Sequence, residues 1–260
     1  YASELKAEET SGGYKLHFTL NDNIESGQIN ILEGENIVHS IALGALSKGL
    51  NSVDLTTTTL PGGTFNWSVI VNSTTVDRPY KFTDNAQTQL QFYSPRGVAV
   101  DNSFESPYFG RVYASETAGG TVTNRTTNDG IYILNSALED ITGQNATAYA
   151  GGVTWGGGSS PMRLAVAPDG KVFLTDWTDS NSGIWVMDAG NPSAPFTKVF
   201  EGTRAPSGLV SNGGVNIHGS ISHAWVTGIG DDMKLFTFDE DYVDADATSP
   251  GNLLRYDIGN

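Results

Sequence analysis

The chain has no cysteine, so disulfides, thiolate zinc sites and cysteine nucleophiles are excluded together. No run approaches the roughly 20 consecutive apolar residues that a membrane-spanning helix needs. Nor does any long segment place apolar residues at helical spacing, which predicts low helix content. Positive charge is scarce: 14 Lys and Arg stand against 29 Asp and Glu, for a formal net charge of -15. A surface that tracks phosphates needs concentrated Lys and Arg, and none cluster here. Nucleic acid is therefore not an expected partner, and an anionic membrane surface is disfavoured for the same reason. The acidity itself favours solubility. Also missing are a Gly-x-Ser-x-Gly elbow, a zinc-protease helix and a nucleotide fingerprint. Gly156-Gly157-Gly158-Ser159-Ser160 is glycine-rich, but no helix follows to hold a phosphate, so it reads as a flexible connection.

What the chain does have is glycine, 31 residues of it, with Thr, Ser and Asn between short apolar runs. That composition predicts many short strands joined by tight turns, an all-β fold. One arrangement recurs. Pro95-Arg96-Gly97-Val98-Ala99-Val100-Asp101 leads into Arg111 to Glu116 and then Gly130 to Asn135. It returns as Pro161 to Ala167, Lys171 to Asp176 and Gly183 to Asp188, and more loosely as Ser222 to Val226, Met233 to Asp239 and Asn252 to Asp257. Strands in sets of three, separated by turn residues, are the pattern of β-propeller blades.

Two parts follow from this, with a β-sandwich over residues 1-84, a polar linker over 85-92 and blades over 93-260. In the first part Tyr14 to Leu20 and Gly27 to Leu32 alternate faces, as half-buried strands do. Further strands are expected over Val38 to Leu43, Asn51 to Leu55 and Thr64 to Val71, the last entered through a Pro61-Gly62-Gly63 turn. The order Phe18-Thr19-Leu20, Gly27 to Leu32, Leu43 to Gly49 and Leu60-Pro61-Gly62-Gly63-Thr64-Phe65-Asn66-Trp67 resembles the Ig-like module of the bacterial flagellar hook-capping protein. Such modules occur in many exported proteins of the Bacteroidota, and the usual Trp-Asp-Gly before the Leu-Pro segment is absent here. That resemblance implies a spacer over about the first 75 residues, and an extracellular or outer-membrane surface location in a Gram-negative bacterium. The segments Pro-x-Gly-Val-Ala-Val-Asp and Ala167-Pro168-Asp169-Gly170-Lys171 resemble NHL-type and related six- or seven-bladed propellers.

Three blades do not close a ring, since propellers typically have four to eight. The intervals from Asn135 to Asp188 and from Asp188 to Asp257 also exceed the roughly 40 to 50 residues of compact blades, with loops such as Val215 to Ser220 and Asp241 to Pro250 taking the excess. An incomplete propeller is therefore expected, truncated or completed by oligomerisation. The start at Tyr1 rather than Met reads as a processed product.

Candidate sites are sparse. Trp155 and Trp177, flanked by Gly and by Asp and Thr, are expected to expose their rings to a glycan, whereas Trp185 sits mid-strand and reads as packing. Asp101, Arg163 and His223 belong to the first strand or strand end of each blade, where a central site would gather them. Asp239, Asp241, Asp244 and Asp246, with Glu240 among them and Asp231 and Asp232 upstream, are oxygen donors suited to calcium. The spacing matches no EF-hand, and a solvated acidic loop is the alternative. Calcium is the one cofactor that these residues suggest. His218 and His223 lack a third ligand for a metal, and His17 and His39 fall in the sandwich part. The function expected is noncatalytic: an exported binding or scaffold protein, with an Ig-like spacer presenting a propeller to a glycan or protein. The alternatives are a propeller hydrolase, lyase or lactonase with a central-channel site, and a structural element of a surface assembly.

Overall fold

The structure is a computed structural model that describes residues 1-56, 64-73, 87-142, 147-155, 158-178, 183-201, 204-205, 208-209, 220-239 and 252-259. It is all-β, built from several small antiparallel sheets. Among the described residues the only helices are the 3-10 turns Thr88–Leu90 and Gly230–Asp232, and no helix is long and apolar enough to cross a membrane. The chain divides into two compact units, Tyr1–Phe82 with Asn135–Glu139, and Thr83–Leu134 with Asp140–Asn260.

The first unit holds β1 (Ala2–Thr10), β2 (Gly13–Leu20), β3 (Ser26–Glu33), β4 (Asn36–Leu43), β5 (Gly49–Thr56) and β6 (Asn66–Asn72). They form two three-stranded antiparallel sheets, β1-β2-β5 and β4-β3-β6. Leu16, Phe18 and Leu20 of β2 point to one face by the two-residue period of a strand. They meet Ile29 and Ile31 of β3, Leu43 of β4 and Leu55 of β5 in one buried core. The strands expected from alternation are all present. β1 was not legible, because Leu5 to Thr10 is exposed throughout and polar apart from Leu5 and Ala7. Its place is earned by backbone pairing to β2, interrupted between Ser3 and Lys6 where Glu4 takes φ 53°. The turn at Pro61-Gly62-Gly63 lies outside the described residues.

Among the described residues the second unit holds three sheets of three or more strands, in chain order. The first is β7 (Pro95–Val100), β8 (Val112–Glu116) and β11 (Gly130–Leu134), with a small hairpin, β9 (Gly120–Val122) and β10 (Arg125–Thr127), inserted before β11. The second is β12 (Leu164–Val166), β13 (Val172–Asp176), β14 (Gly183–Met187) and β15 (Thr197–Glu201). After the two-residue strands β16 (Arg204–Ala205) and β17 (Gly208–Leu209) comes the third sheet, β18 (Ile221–Thr227), β19 (Lys234–Asp239) and β20 (Asn252–Asp257). Every pairing within these sheets is antiparallel between neighbours in order. The turn from β12 to β13 is the expected Pro168-Asp169-Gly170, closed by Gly170 N–H donating to Ala167 O at 2.9 Å with Gly170 at φ 86°.

The sheets stack by their faces. β13 is buried along its whole length, and only a strand covered on both sides can be so. Val172 and Leu174 join Tyr113, Ile131 and Ile133 of the first sheet in one core. Phe173, on the opposite face, joins Ala224, Val226 and Leu235 of the third sheet in another. Strand β12 lies against β7 on one side and β18 on the other, so the first strands of successive sheets adjoin. Gly97 permits this approach: a Cβ there would lie 2.8 Å from Ser115 Oγ and 3.0 Å from Arg163 Cα.

Candidate functional site

The six-residue segments Arg111–Glu116, Lys171–Asp176 and Lys234–Asp239 each end on an acid, and Glu116, Asp176 and Asp239 are fully buried. Burial of a carboxylate is tolerated where donors converge on it. Asp176 Oδ1 accepts from Ser160 Oγ at 2.5 Å, Thr178 N–H at 2.8 Å and Thr178 Oγ1 at 2.6 Å. Glu116 Oε1 accepts from the backbone N–H of Ser94. Ser94 and Ser220 stand immediately before the first strand of their sheet and Ser160 four residues before it, so the acid at the end of the second strand is set against the approach to the first. In the first two sheets the bond between them is made, and in the third Ser220 and Asp239 are both buried. Sequence reasoning passed over this serine and acid pair. Its signal was the recurrence of Ser before the first strand and Glu or Asp at the end of the second. Oε2 of Glu116 and Oδ2 of Asp176 are buried without a hydrogen-bond partner, and burial pushes the Glu116 carboxyl above its ordinary range against the lowering effect of Ser94 N–H.

Asp101 has the same character. It is buried, its Oδ2 accepts from Ser106 Oγ at 2.5 Å and its Oδ1 from Ser103 N–H at 3.3 Å. Gly110 N–H donates to its carbonyl at 2.7 Å, so Asp101 closes the 101-110 loop. Burial raises its pKa, opposed by the Ser106 bond. Arg163 donates through Nη1 to the carbonyl of Arg96 and, at 3.3 Å, to that of Met162, tying the entrance of β12 to that of β7. His223 lies on the exposed face of the third sheet. No hydrogen bond joins these three side chains to one another, and each has a separate setting.

The expectation of an exposed ring fails for Trp155. It is 5% exposed and packs in the core between the first two sheets, 6.1 Å from the Trp185 ring and 6.4 Å from Phe196. Flanking glycines thin the backbone around a bulky core ring as readily as they accompany an exposed one, so flanking residues misled. Trp177 is 36% exposed, and its backbone N–H donates to Ser160 Oγ at 2.8 Å. Trp185 does pack, with Lys198 Nζ 4.9 Å from its ring centre. Of the acidic group proposed for calcium, Asp239 is buried at the end of β19, while Glu240, Asp241, Asp244 and Asp246 lie outside the described residues, as does His218. Among the described residues no group of three or more His, Asp or Glu is placed to hold a metal ion.

An exposed apolar surface of the second unit lies on the outer face of the third sheet. Cross-strand pairing puts Trp225, Phe236 and Arg255 in one row and His223, Phe238 and Leu253 in the next. Trp225 is 65% exposed, Phe238 47% and Leu253 71%. A cleft of about 310 Å³ lies over these rings, walled by their apolar atoms. At one end Asp257 pairs with Lys234 at 3.2 Å and with Arg255 at 3.6 Å. A monomer rarely leaves adjacent aromatic and aliphatic side chains of this size in water unless something covers them. Comparison of the chain with protein-family models, curated proteins and solved structures finds no match.

Proposed function

We propose that the protein is a noncatalytic binding or scaffold protein of the cell exterior, in which an Ig-like spacer carries propeller blades. The blade reading is supported by three antiparallel sheets of ascending strand order stacked face to face with their first strands adjoining. The spacer reading is supported by two three-stranded sheets around one core and by the resemblance of its strand order to the hook-capping module. The exterior location rests on that resemblance and agrees with a chain lacking cysteine.

The observation that carries the binding reading is the solvated patch of Trp225, Phe238 and Leu253. Large rings set in a shallow apolar cleft with a charged rim are the composition of a protein-binding centre. A sugar site needs several polar groups aimed at the ring, whereas this cleft is walled by apolar atoms and the charges of Lys234, Arg255 and Asp257 stand at its end. A protein ligand is therefore favoured over a glycan. The enzyme alternative draws on the raised carboxyls of Asp101 and Glu116. Both acids are fully buried and bonded to the loops they hold, which suits a structural role better. A pull-down and a glycan array, each run with wild-type protein and with Trp225→Arg, test the reading. Capture that the variant loses supports it, and two blank results end it.

A further inference from the structure

The partner of the exposed aromatic face can be read from the chain's own repeat, granted that this face binds protein. The third residue of each middle-strand segment is Tyr113, Phe173 or Phe236. Tyr113 is buried against the second sheet and Phe173 against the third, at 0% and 2% exposure. By the two-residue period Phe236 points the same way from the third sheet, beside Trp225 and Phe238, and no sheet of the described residues covers it there. The opposite, backward side of each sheet is aliphatic: Leu164, Val172 and Leu174 in the second, Val226 and Leu235 in the third. In the first sheet that same side carries Val98 and Val100, which are 69% and 45% exposed. Ala99, between them, packs into the core with Tyr113, which fixes the two valines on the backward side. One molecule thus holds both open halves of an interface that it has already formed twice internally.

We propose that a second copy of this chain covers the forward face of the third sheet with the backward face of its own first sheet, continuing the sheet-on-sheet interface between molecules. The contact is heterologous, so it closes into a ring or extends as an open array. Two copies that close bring six sheets together, within the range of propellers. The third forward face also departs from the other two in a fitting direction. Trp225 stands where the first strands of the other sheets carry Ala99 and Ala165, and Phe238 where Ser115 and Thr175 stand. At the internal interface Ser115 Oγ donates to Met162 O at 3.3 Å, and the chain itself holds the sheets together. An interface between separate molecules must also offset lost translational and rotational freedom, and larger apolar side chains supply that. The contact is narrow, because Phe92 and Ala148 already cover Ala114 on the middle strand and Tyr132 on the last strand of the first sheet. Association in the micromolar range is expected, as for interfaces below about 1,200 Å².

Sedimentation velocity on the 260-residue chain, from about 1 to about 200 μM, is the test. A mass that rises with concentration to at least twice that of the chain is expected. Trp225→Arg and Val98→Glu, each at an exposed position, should separately leave a monomer with an unchanged denaturation midpoint. An equimolar mixture of the two variants should regain a species of twice the monomer mass, since each contributes one intact half. A monomer throughout the range overturns the proposal, as does self-association that Val98→Glu leaves intact, which would mean that the third sheet pairs with itself. Either result leaves the binding reading standing if Trp225→Arg still loses a captured protein, and the two are thereby told apart.

Discussion

At the scale of single residues, the buried acids matter more than the exposed ones. Asp176 organises three donors with one oxygen, and hydrogen bonds to a charged group contribute about 1.5 to 3 kcal/mol each. Asp176→Ala should therefore cost at least about 3 kcal/mol, and Ser160→Ala about 1 kcal/mol, read as loss of the urea midpoint. Glu116 titrates in the opposite sense to a paired surface acid. Its folded pKa is raised by burial, so its contribution to stability is complete below the unfolded value of about 4.3 and is lost as pH rises through the folded one. Glu116→Gln should lose ground to the wild type at about pH 4 and recover it by about pH 8 in paired urea titrations. A gap that widens with pH would overturn this assignment. These roles were not legible from composition, because 29 acids look alike until the fold buries a few of them.

Elements were more legible. Alternation marked β2 to β6, and the recurring triplets marked β7, β8, β11 to β14 and β18 to β20, because strand period depends only on neighbours in sequence. β1 and β15 were missed for a shared reason, since both are outer strands that need backbone pairing more than an apolar face. Strand β13, covered on both faces, is open to damage from truncation. Leu174→Ala should cost about 2 to 5 kcal/mol by opening a cavity between sheets. Gly97→Ala should cost about 1 to 3 kcal/mol for the opposite fault, pressing a methyl group between β7 and the entrance of β12. Both are measured by chemical denaturation, and a neutral Gly97→Ala would mean that the first two sheets do not approach as closely as described.

For the whole molecule, charge sets the terms of association. A net charge of -15 should leave duplex DNA unshifted even at about 50 mM salt. Like charge on two copies opposes their pairing, so self-association through the third sheet should strengthen between about 20 and about 200 mM salt, as screening shortens the range of repulsion. Weakening over that range would assign the contact to ion pairs such as those of Asp257 instead of to the aromatic row. By itself the sequence determined the all-β class, the position of most strands, the acidity and the absence of any thiol chemistry, all of which follow from local period and composition. Only the tertiary structure decided that Trp155 fills a core while Trp225 faces water, that Asp101 closes a loop, and that three acids meet three strand entrances. Those outcomes depend on which face of which sheet is covered, and a strand's own residues do not say what will be laid over it.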